Sequence, residues 1–379
     1  MRELQSRARI VPVHLLENII GSMTTYPHPL GVEAFRLFWH ANANDPLVFR
    51  EVSRLESEVV SMLGDLLGGD PARVEGMITS GGSEANVSAL YLAREHGYDT
   101  VYIPRNVHES IVKAARFLRM NIVRVGLGED YKVSLEDLAL KLEKHGRGVI
   151  VVTAGTTGLG LVDPVPQVSK IALEYESIVH VDAAYGGFIV PFLKAMGAPL
   201  PDIGFTNEAV VTVTIDPHKM GLAPMPAGGI VARSKEWFEP LLFDSSYLPM
   251  GYQKGLFGTR TGGSIAATWA VIKGLGFDGY LNIVSEAMSN AVFLAGFVDY
   301  SPRLELPARP ETPIVCIKPK GVEAKKVLVE LWRRKWYPYH CGIVDGVRVV
   351  VMPHITREKL QDFAQVLDEV VGSLQTSNA

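Results

Sequence analysis

Six short apolar runs, most of them rich in β-branched residues, alternate with helix-like stretches along the middle of the chain. They are Thr100–Ile103, Asn121–Val125, Val149–Thr153, Ile178–Asp182, Val210–Ile215 and Gly229–Ala232. Buried strands separated by helix-length connections pair mostly in parallel and must be covered by helices, so the alternation specifies an α/β chain with a largely parallel sheet. Ahead of these runs, Val52, Leu55, Val59, Met62, Leu63 and Leu66 recur at three- and four-residue steps, and Gly68-Gly69 stop the helix they define.

The division expected along the chain is an N-terminal segment (1–45), a large domain (46–280) and a smaller C-terminal α+β domain (281–379). In the last, "ETPIVCIK" and "GVRVVVM" read as strands. A final helix from near Thr356 carries Leu360, Phe363, Val366, Leu367, Val370 and Val371 on its buried stripe.

Bulk properties narrow the function classes. Of 379 residues, 47 % are hydrophobic and 21 % charged, so a sizeable core is easily built. A net charge of −4 gives no general attraction to nucleic acid or to an anionic membrane. The basic run Arg333-Arg334-Lys335 reads as a solvated helix face. Cys316 and Cys341 are the only cysteines, with no CxxC and no metal-ligand spacing, which fits a reducing cytoplasm and neither a disulfide framework nor a metal site. No stretch approaches about 18 consecutive apolar residues, and the start of the chain lacks secretory-signal features. The expectation is a soluble cytoplasmic protein.

Polar chemistry gathers at strand ends, where open parallel sheets bind ligands. One run ends at Thr153, another at Asp182, and the β-branched run Val210–Ile215 leads straight into Asp216-Pro217-His218-Lys219. A lysine at the mouth of a buried strand is costly unless it is paired or chemically used. In "TSGGSEAN", Gly81, Gly82 and Ser83 open a helix whose Val87, Leu90 and Tyr91 are expected to face inward. Exposed N–H groups there suit a phosphate. The nucleotide P-loop pattern is absent because no lysine follows at its spacing. A phosphate cradle, a strand-end acid and a strand-end lysine together match pyridoxal 5'-phosphate, whose aldehyde takes a lysine amine and whose ring nitrogen needs a carboxylate.

With these residues in place, the chain resembles the group II pyridoxal-phosphate-dependent amino acid decarboxylases, most closely the archaeal L-tyrosine/L-aspartate decarboxylase family. The resemblance runs through "TSGGSEAN", "NVHESIVKAA", "TAGTTGLGLVDP", "HVDAAYGGFIVPF", "TIDPHKMGLAPMPAGG", "GTRTGGSIAATWAV" and "VRVVVMPHITRE". It implies the fold-type I transferase-like architecture, with a mostly parallel seven-stranded sheet in the large domain.

It also implies roles. Lys219 matches the Schiff-base lysine and His218 a residue near the phosphate. Asp182 matches the acid on the ring nitrogen, with Ala184 and His108 on opposite ring faces. Gly82 and Ser83 match the phosphate turn, and Thr153 a threonine beside the ring oxygen. Arg348 looks like the receptor of the substrate α-carboxylate, although it could instead pair with an acid such as Asp345. Tyr247 matches a loop tyrosine that protonates carbon, with Tyr252 on the same loop as the alternative. His28 and Asn42 are candidates for the substrate pocket. Thr261 and Gly262, in the Thr259–Gly262 loop, are candidates for reaching a partner's cofactor in a homodimer. Two positions depart from the family pattern: Gly158 stands where Glu is frequent, and Thr261 where Pro is frequent.

The implied reaction is decarboxylation of L-aspartate to β-alanine, a coenzyme A precursor, or of L-tyrosine to tyramine, used in methanofuran. L-Glutamate is a further possible substrate. The alternative on the same fold is a carbon–carbon or carbon–sulfur lyase, such as a sphingosine-phosphate-lyase-like enzyme. A non-catalytic homologue would lack part of the Lys219, Asp182 and His108 set, which here is complete.

Overall fold

The structure, a computed structural model, describes residues 3–5, 18–24, 26–248 and 250–378. Residues 1–2, 6–17 and 25 of the expected N-terminal segment lie outside them. The chain divides into two units. The larger takes Tyr26–Thr157 and Leu161–Leu281; the smaller takes Gly158–Gly160, the residues from Asn282 onward and the described residues before Tyr26.

The larger unit is built on a seven-stranded sheet. Its strands are β1 (Glu75–Thr79), β2 (Thr100–Pro104), β3 (Asn121–Val125), β4 (Val149–Thr153), β5 (Ile178–Asp182), β6 (Val210–Ile215) and β7 (Gly228–Ala232), in the order β1-β7-β6-β5-β4-β2-β3. Strands β2 to β6 pair in parallel, whereas β7 runs antiparallel to both β6 and β1. All six runs read from the sequence are strands here. Every residue of β4, β5, β6 and β7 is buried, as β-branched chains sandwiched between helices must be.

The sequence runs omit β1. "EGMIT" carries little β-propensity, and its pairing with β7 makes it a strand. Gly76 allows that pairing, since a Cβ there would lie 2.4 Å from the Ile230 carbonyl oxygen.

The helix Arg50–Leu66 buries Val52, Val59 and Leu63 and half-buries Leu55, Met62 and Leu66. It ends at Gly68, whose φ of 69° is a left-handed value. The helix Gly82–Glu95 buries more than the expected stripe. Leu90 is buried while Val87 and Tyr91 are half-buried, and Ala85, Asn86, Ser88, Ala89 and Leu92 are buried with it. The hairpin β8 (Leu242–Asp244) and β9 (Tyr252–Lys254) packs through Phe243 onto Tyr91, with ring centroids 5.8 Å apart.

The smaller unit holds a four-stranded antiparallel sheet of β10 (Leu304–Glu305), β11 (Ile314–Pro319), β12 (Tyr339–Cys341) and β13 (Gly346–Val350), in the order β10-β11-β13-β12. Helices Ala324–Arg333 and Arg357–Asn378 belong to it. The last buries Leu360, Phe363, Leu367, Val370 and Val371 and half-buries Val366. Cys316 and Cys341 are buried free thiols. At Gly158 a Cβ would meet the Cys341 Sγ at 3.1 Å, so the glutamate frequent in the family would crowd that sulfur here.

Among the described residues one helix, Gly262–Tyr300, is long and apolar enough to cross a membrane by length and composition. Gly276, with φ 59° and ψ −170°, breaks it, and Ile265, Ala266, Ala267 and Val271 ahead of the break are all buried.

One ion pair sets the loop that leads into this helix. Glu56 is 5 % exposed and Arg260 6 %. The guanidinium meets the carboxylate two-pronged, Nη1 to Oε1 and Nη2 to Oε2 at 3.1 Å. Arg260 also donates to Asn44 Oδ1 and to the Ile78 carbonyl, and the Ile78 N–H donates to Glu56 Oε1 at 3.0 Å. Burial alone would raise the Glu56 pKa; Arg260 and then Lys254 outweigh it and hold the acid below its ordinary value.

Removing one partner of such a pair leaves a buried charge uncompensated. Arg260→Ala should therefore lose about 3–5 kcal/mol in chemical denaturation. The apolar double variant Glu56→Leu/Arg260→Met should lose clearly less than the sum of its single variants; full additivity would contradict the coupling.

Candidate active site

Strand register brings two sequence-predicted positions, Thr153 and Asp182, level with Thr214. Thr153 pairs with Asp182 across β4 and β5, and Asp182 with Thr214 across β5 and β6. Immediately beyond β6 the chain turns back on itself, with Lys219 N–H donating to the Asp216 carbonyl at 3.0 Å. Lys219 Nζ lies 3.1 Å from Asp216 Oδ2, and His218 Nε2 lies 3.5 Å from the same oxygen. The His218 Nδ1 accepts the Ala227 N–H at 3.1 Å. Asp216 is 1 % exposed. Burial would push its carboxyl up, but Lys219 first and His218 second hold it below the usual range.

The glycine turn sits against this cluster. A Cβ at Gly82 would meet Asp216 Oδ2 at 2.7 Å and the Ala184 methyl at 3.2 Å, and one at Gly81 would meet His218 Cε1 at 3.1 Å. Glycine is what allows the start of helix Gly82–Glu95 to come this near. Ser83, the next residue of that first turn, is exposed.

Asp182 is anchored from two sides. Ala184 N–H donates to Oδ1 at 3.1 Å, and Asn86 Nδ2 donates to Oδ2 at 2.9 Å. Asn86 Nδ2 also donates to Ser110 Oγ at 2.9 Å, while Asn86 Oδ1 accepts Thr214 Oγ1 at 2.7 Å and faces His180 Nε2 at 3.0 Å. His180 Nδ1 lies 2.9 Å from Thr212 Oγ1. His108 caps the helix Glu109–Phe117, its Nδ1 accepting the Ser110 N–H at 3.2 Å and lying 2.8 Å from Ser110 Oγ.

On β4, Thr153 is 4 % exposed, and its Oγ1 has no hydrogen-bond partner among the described residues. Its N–H donates to Asp163 Oδ2 at 2.8 Å, and Asp163 Oδ1 accepts the Val133 N–H. Burial pushes Asp163 up to about 6 against those two hydrogen bonds.

These residues fit pyridoxal phosphate. A buried hydroxyl without a partner, an amine at a strand end, a doubly anchored carboxylate and a glycine-lined helix start are the groups its ring oxygen, aldehyde, ring nitrogen and phosphate require. Among the described residues no group of three His, Cys, Asp or Glu side chains could hold a metal ion.

The remaining candidates have partners of their own. His28 caps the helix Pro29–Phe38, and its N–H donates to the Leu222 carbonyl at 2.7 Å, three residues past Lys219. Asn42 bridges to Thr261 and accepts the Arg260 N–H on Oδ1. Gly262 packs against Ala41, where a Cβ would come within 2.8 Å of its methyl. A cavity of about 420 Å³ is lined by Asn42, Thr79, Ser80, Glu84 and Thr261.

Tyr247 is 76 % exposed in the loop between β8 and β9, whereas Tyr252 lies on β9 itself. Arg348, in the smaller unit, donates from Nη2 to the Gly21 carbonyl at 2.7 Å and stacks its guanidinium over Tyr339. Asp345, its alternative partner, bonds His340 Nε2 at 2.8 Å.

Sequence reasoning assigned no role to Asn86, Ser110, His180 or Asp163. Each lies inside a motif that carried the resemblance, and that position was the only available signal.

The pyridoxal-dependent decarboxylase conserved domain matches residues 50–320. The chain is 39 % identical over 380 residues to L-aspartate decarboxylase of Thermococcus kodakarensis, covering 99 % of this chain and 97 % of that one. It is 39 % identical over 360 residues to L-aspartate/L-glutamate decarboxylase of Pyrococcus horikoshii, covering 93 % and 92 %. Among solved structures it is similar to a sphingosine-1-phosphate lyase of Burkholderia pseudomallei, with TM-score 0.90, 25 % identity, and coverage of 100 % of this chain and 91 % of that one.

His180 gives the site a measurable acid sensitivity. It is fully buried, and burial lowers its pKa to about 4 against the opposing pull of Asp182. The unfolded chain therefore takes up a proton between pH 6.5 and 4 that the folded chain refuses. Stability from this group is complete above pH 6.5 and falls as pH drops toward 4, by about 3 kcal/mol. The unfolding free-energy difference between wild type and His180→Gln should narrow by that amount from pH 7 to pH 4. A pH-independent difference would mean that His180 carries no buried neutral ring.

Proposed function

Because the chain belongs to the pyridoxal-dependent decarboxylase family and is a carboxy-lyase that uses pyridoxal phosphate, we propose that its substrate is L-aspartate, converted to β-alanine and CO2. The observation that carries the choice is the match to an L-aspartate decarboxylase over almost the full length of both chains. We propose further that the protein is cytoplasmic and that its β-alanine serves as a coenzyme A precursor.

Bound pyridoxal phosphate supplies an electron sink for the pair left when the Cα–carboxyl bond breaks and CO2 departs. In our reading Lys219 Nζ binds the cofactor aldehyde, and Asp182 holds a proton on the ring nitrogen. Thr153 Oγ1 donates to the ring oxygen. The first-turn amides of Gly82 and Ser83, with His218 beside them, hold the phosphate. Ala184 and His108 confine the ring. For Arg348 as receptor of the α-carboxylate, and for Tyr247 as the hydroxyl that delivers a proton to Cα, the support is the sequence resemblance. His28 and Asn42 are assigned to the substrate pocket on the same ground.

We also propose a homodimer in which the Thr259–Gly262 loop, with Thr261 and Gly262, faces the partner. Its support is a set of exposed apolar side chains, of which Trp39 and Phe257 share a cavity wall with Thr259 and Thr261. Leu37 is 62 % exposed, Trp39 71 %, Val48 66 % and Phe257 55 %. Monomeric proteins seldom leave such a patch open to water.

Two measurements test these assignments. Purified protein with pyridoxal phosphate should release CO2 from L-aspartate, with L-glutamate and L-tyrosine as parallel arms, and Lys219→Ala should lose both turnover and the bound-cofactor absorbance. Normal turnover in Lys219→Ala would overturn the lysine assignment; a cofactor band with no CO2 from any of the three amino acids would move the reaction from decarboxylation to the alternative carbon–carbon or carbon–sulfur lyase of the sphingosine-phosphate-lyase kind. In light scattering the wild type should weigh as two chains, and Trp39→Glu should shift it to one chain with loss of activity; a monomeric active wild type would remove the dimer.

A further inference from the structure

We infer that Asn86 is a positioning residue for the decarboxylation, fixing both the carboxylate of Asp182 and the proton on the His108 ring; this rests on the reading of Asp182 and His108 given above. Asn86 is 1 % exposed, and its primary amide is saturated. Two N–H groups go to Asp182 Oδ2 and Ser110 Oγ, and two acceptor positions face Thr214 Oγ1 and His180 Nε2. Those partners come from β5, β6 and the helix Glu109–Phe117, so one side chain ties three elements together.

The direction of every bond in this set follows from Asp182. An ionised carboxylate only accepts, so Asn86 must present Nδ2 to it, and a flipped amide would set oxygen against oxygen. With Oδ1 then turned to β5 and β6, His180 must carry its proton on Nε2, and Nδ1 accepts from the Thr212 hydroxyl. The low pKa of His180 agrees with a neutral ring.

On the other side, Ser110 Oγ accepts from Asn86, so its own proton points to His108 Nδ1. The Ser110 N–H points to the same nitrogen. His108 Nδ1 is thus an acceptor twice over, and the neutral ring keeps its proton on Nε2. A chain of four side chains, Asp182–Asn86–Ser110–His108, links the group assigned to the ring nitrogen with the one assigned to the ring face.

Asn86→Asp separates this role from simple packing because it keeps size and shape. It places a second carboxylate against Asp182, and two such groups share a proton and cannot both ionise readily. The titratable groups that bear on Asp182 are His180 on its own strand, His108 through Ser110, and the Asp216, His218 and Lys219 set beyond the neighbouring strand β6.

The holoenzyme of Asn86→Asp should keep its cofactor and lose about 10- to 100-fold in kcat, the worth of a hydrogen bond to a charged group. Its KM for L-aspartate should change far less, and the pH at which the bound-cofactor absorbance titrates should shift. Ser110→Ala cuts only the His108 arm; it should lose kcat to a smaller degree and leave the titration where it is.

An unshifted titration in Asn86→Asp overturns the inference whatever happens to kcat, because a packing role would lower kcat without moving it. If Asn86→Asp does not fold, Ser110→Ala decides: wild-type kcat there overturns the inference. The absorbance titration needs no turnover, so failure of L-aspartate as substrate and failure of Asn86 as positioner remain distinguishable.

Discussion

Ionised groups buried at the ends of apolar strands are the constraint on which the larger unit depends. β5 and β6 are buried along their whole length and run into Asp182 and Asp216. A carboxylate moved out of water costs several kcal/mol unless the protein replaces its lost partners. Asp216 is matched by two cationic or potentially cationic neighbours, Lys219 and His218. Asp182 receives neutral donors, the Asn86 amide and the Ala184 N–H. Neutral donors orient a carboxylate without cancelling its charge. On the role proposed for Asp182, that uncancelled charge would favour a proton on the cofactor's ring nitrogen.

This explains why part of the site could be read from the sequence and part could not. A lysine or aspartate closing a run of β-branched residues is conspicuous, because burial and charge conflict within one short stretch. Lys219 and Asp182 stand out for that reason, and the sheet strands stand out by their unbroken apolar runs. Asn86 gives no such local conflict. A polar residue in a helix ordinarily faces water, and the partners that justify its burial lie 24, 94, 96 and 128 positions away. Glu56 is hidden in the same manner, since its arginine is 204 positions distant. β1 escaped the sequence reading for a related reason: its strand character comes from its neighbour β7 and not from its own five residues.

Register also explains why the part of the site proposed to hold the cofactor is the fixed part. Thr153, Asp182 and Thr214 are level because three parallel strands hold them so, and changing their spacing would mean slipping a strand that is buried on both faces. Of the side chains proposed to meet the substrate, Tyr247 carries no such restraint, whereas Arg348 is held in register between Cys316 of β11 and Tyr339 of β12. Tyr247 sits in a loop hung from two strands of three residues each, and Arg348 lies on a strand of the smaller unit. A fold shared with a lyase of different substrate is the expected consequence. On the proposed assignment the cofactor contacts fall at the ends of buried strands, while the proposed proton donor, Tyr247, is exposed on a loop outside the sheet.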